Sequence, residues 1–152
     1  GYWNQKEETE KVIKEGWLHT GDIGEFDSNN NLKITDRKKD IIVNLGGDNI
    51  SPSKIENILC LSKLIKQSFV YGDKRNYLVG IIVCDKEINK EKIKPVIENI
   101  NNNLTLIEKI KKFILIHDEF TIDNGMLTPT LKLKRKVIVK NYLEQIENSY
   151  KI

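Results

Sequence analysis

Residue types that can bind or transfer charged groups are concentrated in four short segments of the chain. Asp22 offers a carboxylate that can accept two hydrogen bonds at once, and Arg37 and Lys132 offer positive charges. Gly46 and Gly47 predict special backbone conformations and allow a ligand to approach the backbone closely. These five residues are therefore the candidates for a binding or catalytic site. The segments that contain them cover residues 16–22 (GWLHTGD), 35–40 (TDRKKD), 46–52 (GGDNISP) and 127–135 (LTPTLKLKR).

Other patterns in the sequence imitate known sites but lack an essential residue. Residues 27–38 begin like a calcium-binding loop, yet Lys38 replaces the bidentate glutamate that ends such loops, so a hairpin turn is the better interpretation. Residues 125–132 have no second glycine before the lysine, which excludes a phosphate-cradling Walker loop. His19 and His117 have no Ser, Cys or acid at triad-like spacing, so we predict that both are structural. No pattern predicts a metal site.

The hydrophobic pattern predicts an α+β fold in which the candidate segments connect regular elements. From residue 41 onward it predicts a small mixed β-sheet packed by about three helices. Ser51 and Pro52 are typical of a helix N-cap and a first helical residue. The predicted elements are a helix at 7–14, a hairpin at 22–36, a strand at 41–43, a helix opened by Ser51 and Pro52, an antiparallel pair at 64–71 and 77–84, a helical region at 89–111 with an Asn-rich break at 101–103, a strand at 112–117, a loop at 121–131 and a helix at 135–148.

Composition excludes several classes of protein. The chain has 152 residues, 39% of them hydrophobic, which fits one domain or one small domain with a piece of another. The 25 basic and 22 acidic residues leave a net charge of only +3, and aromatic residues at 7% argue against a nucleic-acid partner. The longest apolar run, residues 78–84, is too short to span a bilayer. Cys60 and Cys84 lack metal-ligand or disulfide spacing, so we expect both to be buried in a reducing, cytoplasmic protein.

The four segments, in their order and spacing, resemble the adenylate-forming (AMP-binding) superfamily, and within it the acyl-CoA synthetases. The run TPTLKLKR at 128–135 is similar to that of the long-chain fatty acid–CoA ligases. The resemblance covers nearly the whole chain, and Gly1 in place of methionine also indicates a fragment. It implies that residues 1–36 are the end of a large adenylation domain with its β-hairpin, that residues 36–40 are a hinge, and that residues 41–152 are a mobile C-terminal domain.

The resemblance implies a reaction in two halves. A fatty acid carboxylate attacks ATP to give an acyl-adenylate and pyrophosphate, and coenzyme A then displaces AMP. By its motif position Lys132 would be the catalytic cation of the first half, where it offsets the repulsion between two anions. Asp22 and Arg37 would bind the ribose of ATP or AMP. The alternative for Arg37 is a surface ion pair with Asp36 or Asp40. Mg²⁺ would accompany ATP, with its ligands in the large N-terminal domain outside this chain.

Further residues would serve the rotation of the domain and the second half-reaction. Lys39 matches the hinge position of the family, where the backbone changes its dihedral angles. Gly46 and Gly47 would line the channel for the pantetheine arm of coenzyme A; the alternative is a plain turn before a helix. Glu56 would have the structural role of fixing the loop. Leu131 departs from the commonest family pattern, because many relatives have a glycine just before the lysine, but it matches the long-chain type.

The sequence therefore predicts the C-terminal domain of an ATP-dependent fatty acyl-CoA synthetase, inactive by itself. Its partners would be a fatty acid and its own large N-terminal domain, with no nucleic acid. Peripheral membrane association of the full-length enzyme stays open. The alternatives are another acid–thiol ligase of the same superfamily, a basic α+β nucleic-acid-binding module, and a stand-alone regulatory or interaction domain.

Overall fold

The computed structural model describes residues 1–151 and divides into two compact units. The first unit is Gly1–Asp40, and the second begins at Ile41. The division follows the last residue of the charged run at 36–40. The two units are described separately below.

The first unit consists of one helix and two hairpins. Helix α1 is Lys6–Val12; the strands are β1 (Ile13–Lys14), β2 (Trp17–Leu18), β3 (Asp22–Phe26) and β4 (Leu32–Arg37). The predicted hairpin at 22–36 is present, and the carboxylate of Asp27 accepts the N–H groups of Asn29 and Asn31 across its turn. The predicted helix at 7–14 ends two residues early. Glu15 and Gly16 both have positive φ and turn the chain sharply, so residues 13 and 14 pair with β2 instead.

The second unit is a three-stranded mixed sheet with helices, as the sequence predicted. The elements are β5 (Ile42–Val43), β6 (Asn49–Ile50), α2 (Pro52–Leu59), β7 (Gln67–Tyr71), β8 (Leu78–Val83), α3 (Lys90–Asn102), β9 (Ile110–Ile116) and α4 (Arg135–Tyr150). The sheet has the order β7-β8-β9, in which β7 and β8 are antiparallel and β8 and β9 are parallel. The strands β5 and β6, of two residues each, form a separate hairpin whose loop contains the double glycine.

Both faces of the three-stranded sheet are covered by apolar side chains. Strand β8 is buried along its whole length, and its alternate residues enter different clusters: Leu78 and Ile82 on one face, Ile81 and Val83 on the other. The first cluster includes residues of α2 and α3, and the second includes residues of α4. The sheet therefore lies between α2 and α3 on one face and α4 on the other. Because both faces of β8 are buried, its sequence is a continuous apolar run.

Two sequence predictions about the second unit were wrong in part. The helical region predicted at 89–111 ends at Asn102, within the predicted break, and does not resume after it. The side-chain amide of Asn101 bonds both backbone groups of Ile110 at 2.9 Å, and strand β9 begins there. Cys84 is buried as predicted, but Cys60, the residue that follows α2, is exposed. No helix within residues 1–151 combines the length and the apolar character needed to cross a membrane.

Candidate functional site

Asp22 and Arg37 lie opposite each other on strands β3 and β4. The guanidinium Nε of Arg37 is 3.0 Å from a carboxylate oxygen of Asp22, so the two side chains form an ion pair. The alternative prediction for Arg37 was therefore wrong about the partner, which is Asp22 rather than Asp36 or Asp40. The side chains are 26% exposed for Asp22 and 51% for Arg37, so both keep surface for a ligand.

A β-bulge decides which residue faces Asp22. The two strands keep one register from the turn to Gly24, and if it continued, Asp36 would lie opposite Asp22 and two carboxylates would repel each other. The register shifts by one residue beside Gly24, so Arg37 lies there instead. A Cβ on Gly24 would come within 3.1 Å of the Lys33 carbonyl oxygen, a backbone atom that cannot move aside as a side chain can, so glycine suits this bulge.

Gly46 and Gly47 lie in the loop between β5 and β6, and only Gly47 has a backbone conformation that requires glycine. Its φ is +86°, whereas the φ of Gly46 is outside the left-handed region, so the prediction of special conformations holds for one of the two. A Cβ on Gly47 would meet no atom within 4 Å, which leaves open space beside the backbone. The loop is closed by Asn44 and Asp48: the Asn44 amide donates to the Asp48 carboxylate at 2.9 Å and its oxygen accepts the Asp48 N–H at 2.8 Å.

Lys132 lies in a loop whose hydrogen bonds fix its backbone on both sides. The N–H of Thr128 donates to the Lys132 carbonyl at 2.8 Å, and the Lys132 N–H donates to the Thr128 hydroxyl at 3.0 Å. Outside these bonds, Leu127 and Leu133 form an antiparallel bridge. The side chain of Lys132 is exposed, and within residues 1–151 its ammonium makes no ion pair. The positively charged side chain of Lys132 is therefore exposed on a hydrogen-bonded loop.

Leu131 has the backbone conformation that glycine prefers. Its φ is +59°, in the left-handed region, which costs a leucine on the order of 1 kcal/mol. The turn is nevertheless closed, because the Leu131 N–H donates to the Thr128 carbonyl at 2.9 Å. The leucine side chain is 69% exposed and gains little from burial. The loop before Lys132 thus keeps a geometry suited to glycine although leucine occupies the position.

Arg135 and Glu56 anchor the loop of Lys132 to the rest of the second unit. The guanidinium donates to both carboxylate oxygens of Glu56, at 2.9 and 2.6 Å, and Glu56 also accepts the N–H of Val70 at 2.8 Å. Glu56 is buried, and Arg135 begins α4 three residues after Lys132. This geometry supports the structural role proposed for Glu56. The sequence analysis missed Arg135, although its rarity was a signal, because the chain has only three arginines.

The ion pair of Glu56 and Arg135 gives a testable prediction about stability. Glu56→Gln keeps the size of the side chain but removes the charge that Arg135 and the Val70 N–H share, so we expect a loss of about 2 kcal/mol in the free energy of unfolding. Urea unfolding followed by circular dichroism measures it. Glu144→Gln on the exposed surface of α4 is the matched control and should change stability by less than about 0.5 kcal/mol. Equal stability of the two variants would contradict the anchoring role.

Lys39 lies in an exposed turn directly before the division between the two units. The Asp40 N–H donates to the Arg37 carbonyl at 2.9 Å, which closes the turn around Lys38 and Lys39. The Lys38 N–H donates to the Gly21 carbonyl at 2.8 Å, so the start of the turn belongs to the first unit.

The predicted site residues are distributed over both units. Asp22, Arg37 and Lys39 belong to the first, in which Asp22 and Arg37 are in contact. The Lys132 loop and the double glycine lie in different loops of the second. Within residues 1–151, no three His, Cys, Asp or Glu side chains are grouped so that they could hold a metal ion.

Comparison with protein families matches residues 39–152 to the AMP-binding enzyme C-terminal domain. The chain is 37% identical to long-chain-fatty-acid–CoA ligase 5 of Mus musculus, over 99% of this chain and 26% of the ligase. It is 33% identical to long-chain-fatty-acid–CoA ligase FadD15 of Mycobacterium tuberculosis, over 99% of this chain and 29% of that protein. The chain thus spans little more than a quarter of the length of these curated relatives.

Solved structures of adenylation enzymes share the fold. The A-PCP didomain of carboxylic acid reductase from Segniliparus rugosus, in complex with AMP, has a TM-score of 0.87 and 29% identity, over 99% of this chain and 23% of the didomain. The Mycobacterium tuberculosis fatty acyl CoA synthetase has a TM-score of 0.61 and 29% identity, over 95% of this chain and 28% of that protein. The chain therefore belongs to the family of AMP-binding enzymes, and residues 39–152 are its C-terminal domain.

Proposed function

We propose that the full-length protein is an ATP-dependent fatty acyl-CoA synthetase. It converts a fatty acid, ATP and coenzyme A into acyl-CoA, AMP and pyrophosphate through an acyl-adenylate, and this chain contributes its mobile C-terminal domain together with the end of the adenylation domain. Identities of 33% and 37% to long-chain fatty acid–CoA ligases support this proposal. The observation that carries it is the hydrogen-bonded loop on which the exposed Lys132 lies.

Lys132 would act in the first half-reaction. The fatty acid carboxylate attacks the α-phosphorus of ATP, the bond to the pyrophosphate oxygen breaks, and an acyl-adenylate forms. Both reactants are anions, and the charge on the phosphoryl oxygens grows in the transition state. An ammonium on a loop that is already fixed stabilises this charge without reorganisation, which is the main source of electrostatic catalysis. The exposed side chain and the absence of an ion pair within residues 1–151 leave this charge available.

Asp22 and Arg37 would bind the ribose of the nucleotide. The Asp22 carboxylate accepts hydrogen bonds from ribose hydroxyls, and the Arg37 ion pair at 3.0 Å holds the carboxylate in place. Because the bulge of the hairpin creates this pair, the backbone of β3 and β4 orients both groups before a ligand binds. The residues of this chain thus fit a hydroxyl-bearing nucleotide.

Gly46 and Gly47 would serve the second half-reaction, after rotation of the C-terminal domain about Lys39. The thiol of coenzyme A attacks the carbonyl carbon of the acyl-adenylate, the bond to the AMP oxygen breaks, and the thiol proton leaves to solvent. The open space beside Gly47 suits a narrow pantetheine arm, because no atom beyond the two neighbouring residues lies within 4 Å of the position that a Cβ would occupy. We assign no residue of this chain to the acyl group or to Mg²⁺.

Separate measurement of the two half-reactions tests the proposal. The full-length protein should release pyrophosphate from ATP when a long-chain fatty acid is present, and it should form acyl-CoA when coenzyme A is added. A panel of short, medium, long and aromatic acids then defines the substrate. Pyrophosphate release without any acyl-CoA would favour a carrier-protein thiol as acceptor, a second candidate favoured by the TM-score of 0.87 to a didomain of carboxylic acid reductase.

The isolated chain of 152 residues is expected to fold but to have no ligase activity. Its second unit has apolar clusters on both faces of the sheet, which supports folding. The resemblance also implies that the Thr/Ser/Gly-rich phosphate loop of the family and its fatty acyl tunnel belong to the large N-terminal domain outside this chain. We therefore expect only weak binding of ATP. Isothermal titration that gives a micromolar dissociation constant for ATP would contradict this division of roles.

A further inference from the structure

The hairpin that carries Gly46 and Gly47 is too small to be rigid on its own. Each of its strands has two residues, and two-stranded ribbons are marginal in water. Three hydrogen bonds join the turn between β7 and β8 to this hairpin, two at Val43 of its first strand and one at Leu45 of its loop. These are Lys74 N–H to the Val43 carbonyl at 2.8 Å, Leu45 N–H to the Arg75 carbonyl at 3.0 Å, and Val43 N–H to the Asp73 carboxylate at 3.3 Å. The position of the glycine loop therefore depends on the turn at 72–77.

This turn is strained and needs support of its own. Lys74 has a φ of +54°, in the left-handed region that costs an L-residue on the order of 1 kcal/mol. The Arg75 N–H donates to the Gly72 carbonyl at 3.0 Å and closes the turn. Since the left-handed conformation of Lys74 is unfavourable by itself, contacts from elsewhere must maintain it.

The last turn of α4 supplies these contacts. The Arg75 guanidinium pairs with Glu147 and lies over the Tyr150 ring, 4.7 Å from its centroid. The Tyr150 hydroxyl donates to the Tyr77 carbonyl at 3.0 Å, and the Tyr77 hydroxyl donates to the Ser149 carbonyl at 2.9 Å. The Tyr77 and Tyr150 rings are in contact, with centroids 5.0 Å apart. Arg75 thus makes two kinds of contact. Its backbone carbonyl accepts the Leu45 N–H, and its side chain contacts Glu147 and Tyr150 at the end of α4.

We infer that Arg75 is a positioning residue for the thioester half-reaction, which places the Gly46-Gly47 loop for coenzyme A through the turn at 72–77. This inference rests on the proposed function. Arg75 touches no reacting group, and in this role it affects the binding of coenzyme A while leaving the chemistry at Lys132 unchanged. Lysine cannot replace it fully, because an ammonium lacks the planar face that lies over Tyr150 and the fork that reaches Glu147.

The test is a split between the two half-reactions in the full-length protein, with palmitate, ATP and coenzyme A. Arg75→Ala should raise the KM for coenzyme A about tenfold, equivalent to about 1.4 kcal/mol of lost preorganisation, and change pyrophosphate release less than twofold. Arg75→Lys should recover part of this loss. Glu147→Gln leaves Arg75 and its contact with the Tyr150 ring in place, so it should raise the KM for coenzyme A by less than Arg75→Ala does. If Arg75→Ala fails to fold, the KM of Glu147→Gln tests the inference.

Lys66→Ala is the matched control. Lys66 pairs with Asp85 and Glu119 on the same unit, so its removal also breaks a surface ion pair but leaves the turn at 72–77 untouched. Its KM for coenzyme A should equal that of the wild type. If the wild type forms acyl-CoA and both Arg75→Ala and Glu147→Gln keep a normal KM, or lose both half-reactions equally, the inference is wrong and the proposed function stands. A wild type that forms no acyl-CoA would overturn both.

Discussion

Lys132→Ala in the full-length protein is expected to slow acyl-adenylate formation by about a hundredfold or more. Loss of one preorganised charge donor in an active site has an effect of this order. The backbone of Lys132 is fixed by two bonds to Thr128, so the substitution removes the charge and leaves the loop closed. Formation of acyl-CoA from supplied acyl-adenylate should be largely unchanged, because in the proposed mechanism that step uses the other orientation of the domain.

The measurement is single-turnover kinetics of each half-reaction. Lys136→Ala is the matched control, since it removes an exposed lysine from the first turn of α4, close to the loop, and should leave both steps unchanged. Equal decreases in both half-reactions, or no decrease in either, would show that Lys132 is not the cation of adenylation.

Local patterns were sufficient to predict the elements that position the candidate site. Ser51 caps α2 through its hydroxyl, which accepts the Lys54 N–H at 3.3 Å, as its residue type and the following proline indicated. The apolar run of β8 is buried on both faces. Where prediction failed, the cause was a contact from elsewhere in the sequence. The Asn-rich break at 101–103 marked the end of α3, but the pattern also predicted that the helix continues to residue 111. The Asn101 side chain bonds the backbone of Ile110 and strand β9 begins there instead, and the hydrophobic pattern does not predict such a contact.

In the candidate site, too, the individual residues could be proposed from short motifs, whereas their contacts with distant residues could not be predicted. Resemblance of the motifs identified Asp22, Arg37 and Lys132 individually, but the pairing of Asp22 with Arg37 depends on a bulge that shifts the register by one residue. The anchoring of the Lys132 loop depends on Glu56, which is far from Arg135 in the sequence.

Arginine usage gives a clue to these distant contacts. The chain has 25 basic residues but only three arginines, and each of the three forms an ion pair with a carboxylate. The planar, forked guanidinium suits such paired contacts better than lysine does. In a lysine-rich chain, the rare arginines therefore point to structural ion pairs that the hydrophobic pattern does not predict.

Proline at position 39 is expected to stop the enzyme between its two half-reactions. Lys39 lies in the turn that Asp40 and Arg37 close, directly before the division between the units. Proline fixes φ near −65° and also restricts the preceding residue, Lys38. Within residues 1–151 the N–H of Lys39 makes no hydrogen bond, so proline removes none that the structure contains. The effect of Lys39→Pro is therefore on the freedom of the backbone to change between two conformations.

A protein trapped in one orientation should carry out one half-reaction and lose the other. We expect the retained step to be adenylation, because the substrates that enter first select that orientation. Lys39→Pro should then release pyrophosphate from ATP and fatty acid, accumulate acyl-adenylate on the enzyme, and form acyl-CoA at least about a hundredfold more slowly, since a conformational step can limit turnover.

Lys39→Ala removes the charge but keeps the backbone free, and it should have nearly normal activity. Rapid-quench measurement of both steps distinguishes the two variants. Normal acyl-CoA turnover by Lys39→Pro would show that position 39 is not the pivot, and the hinge would then lie at a neighbouring residue within 36–40.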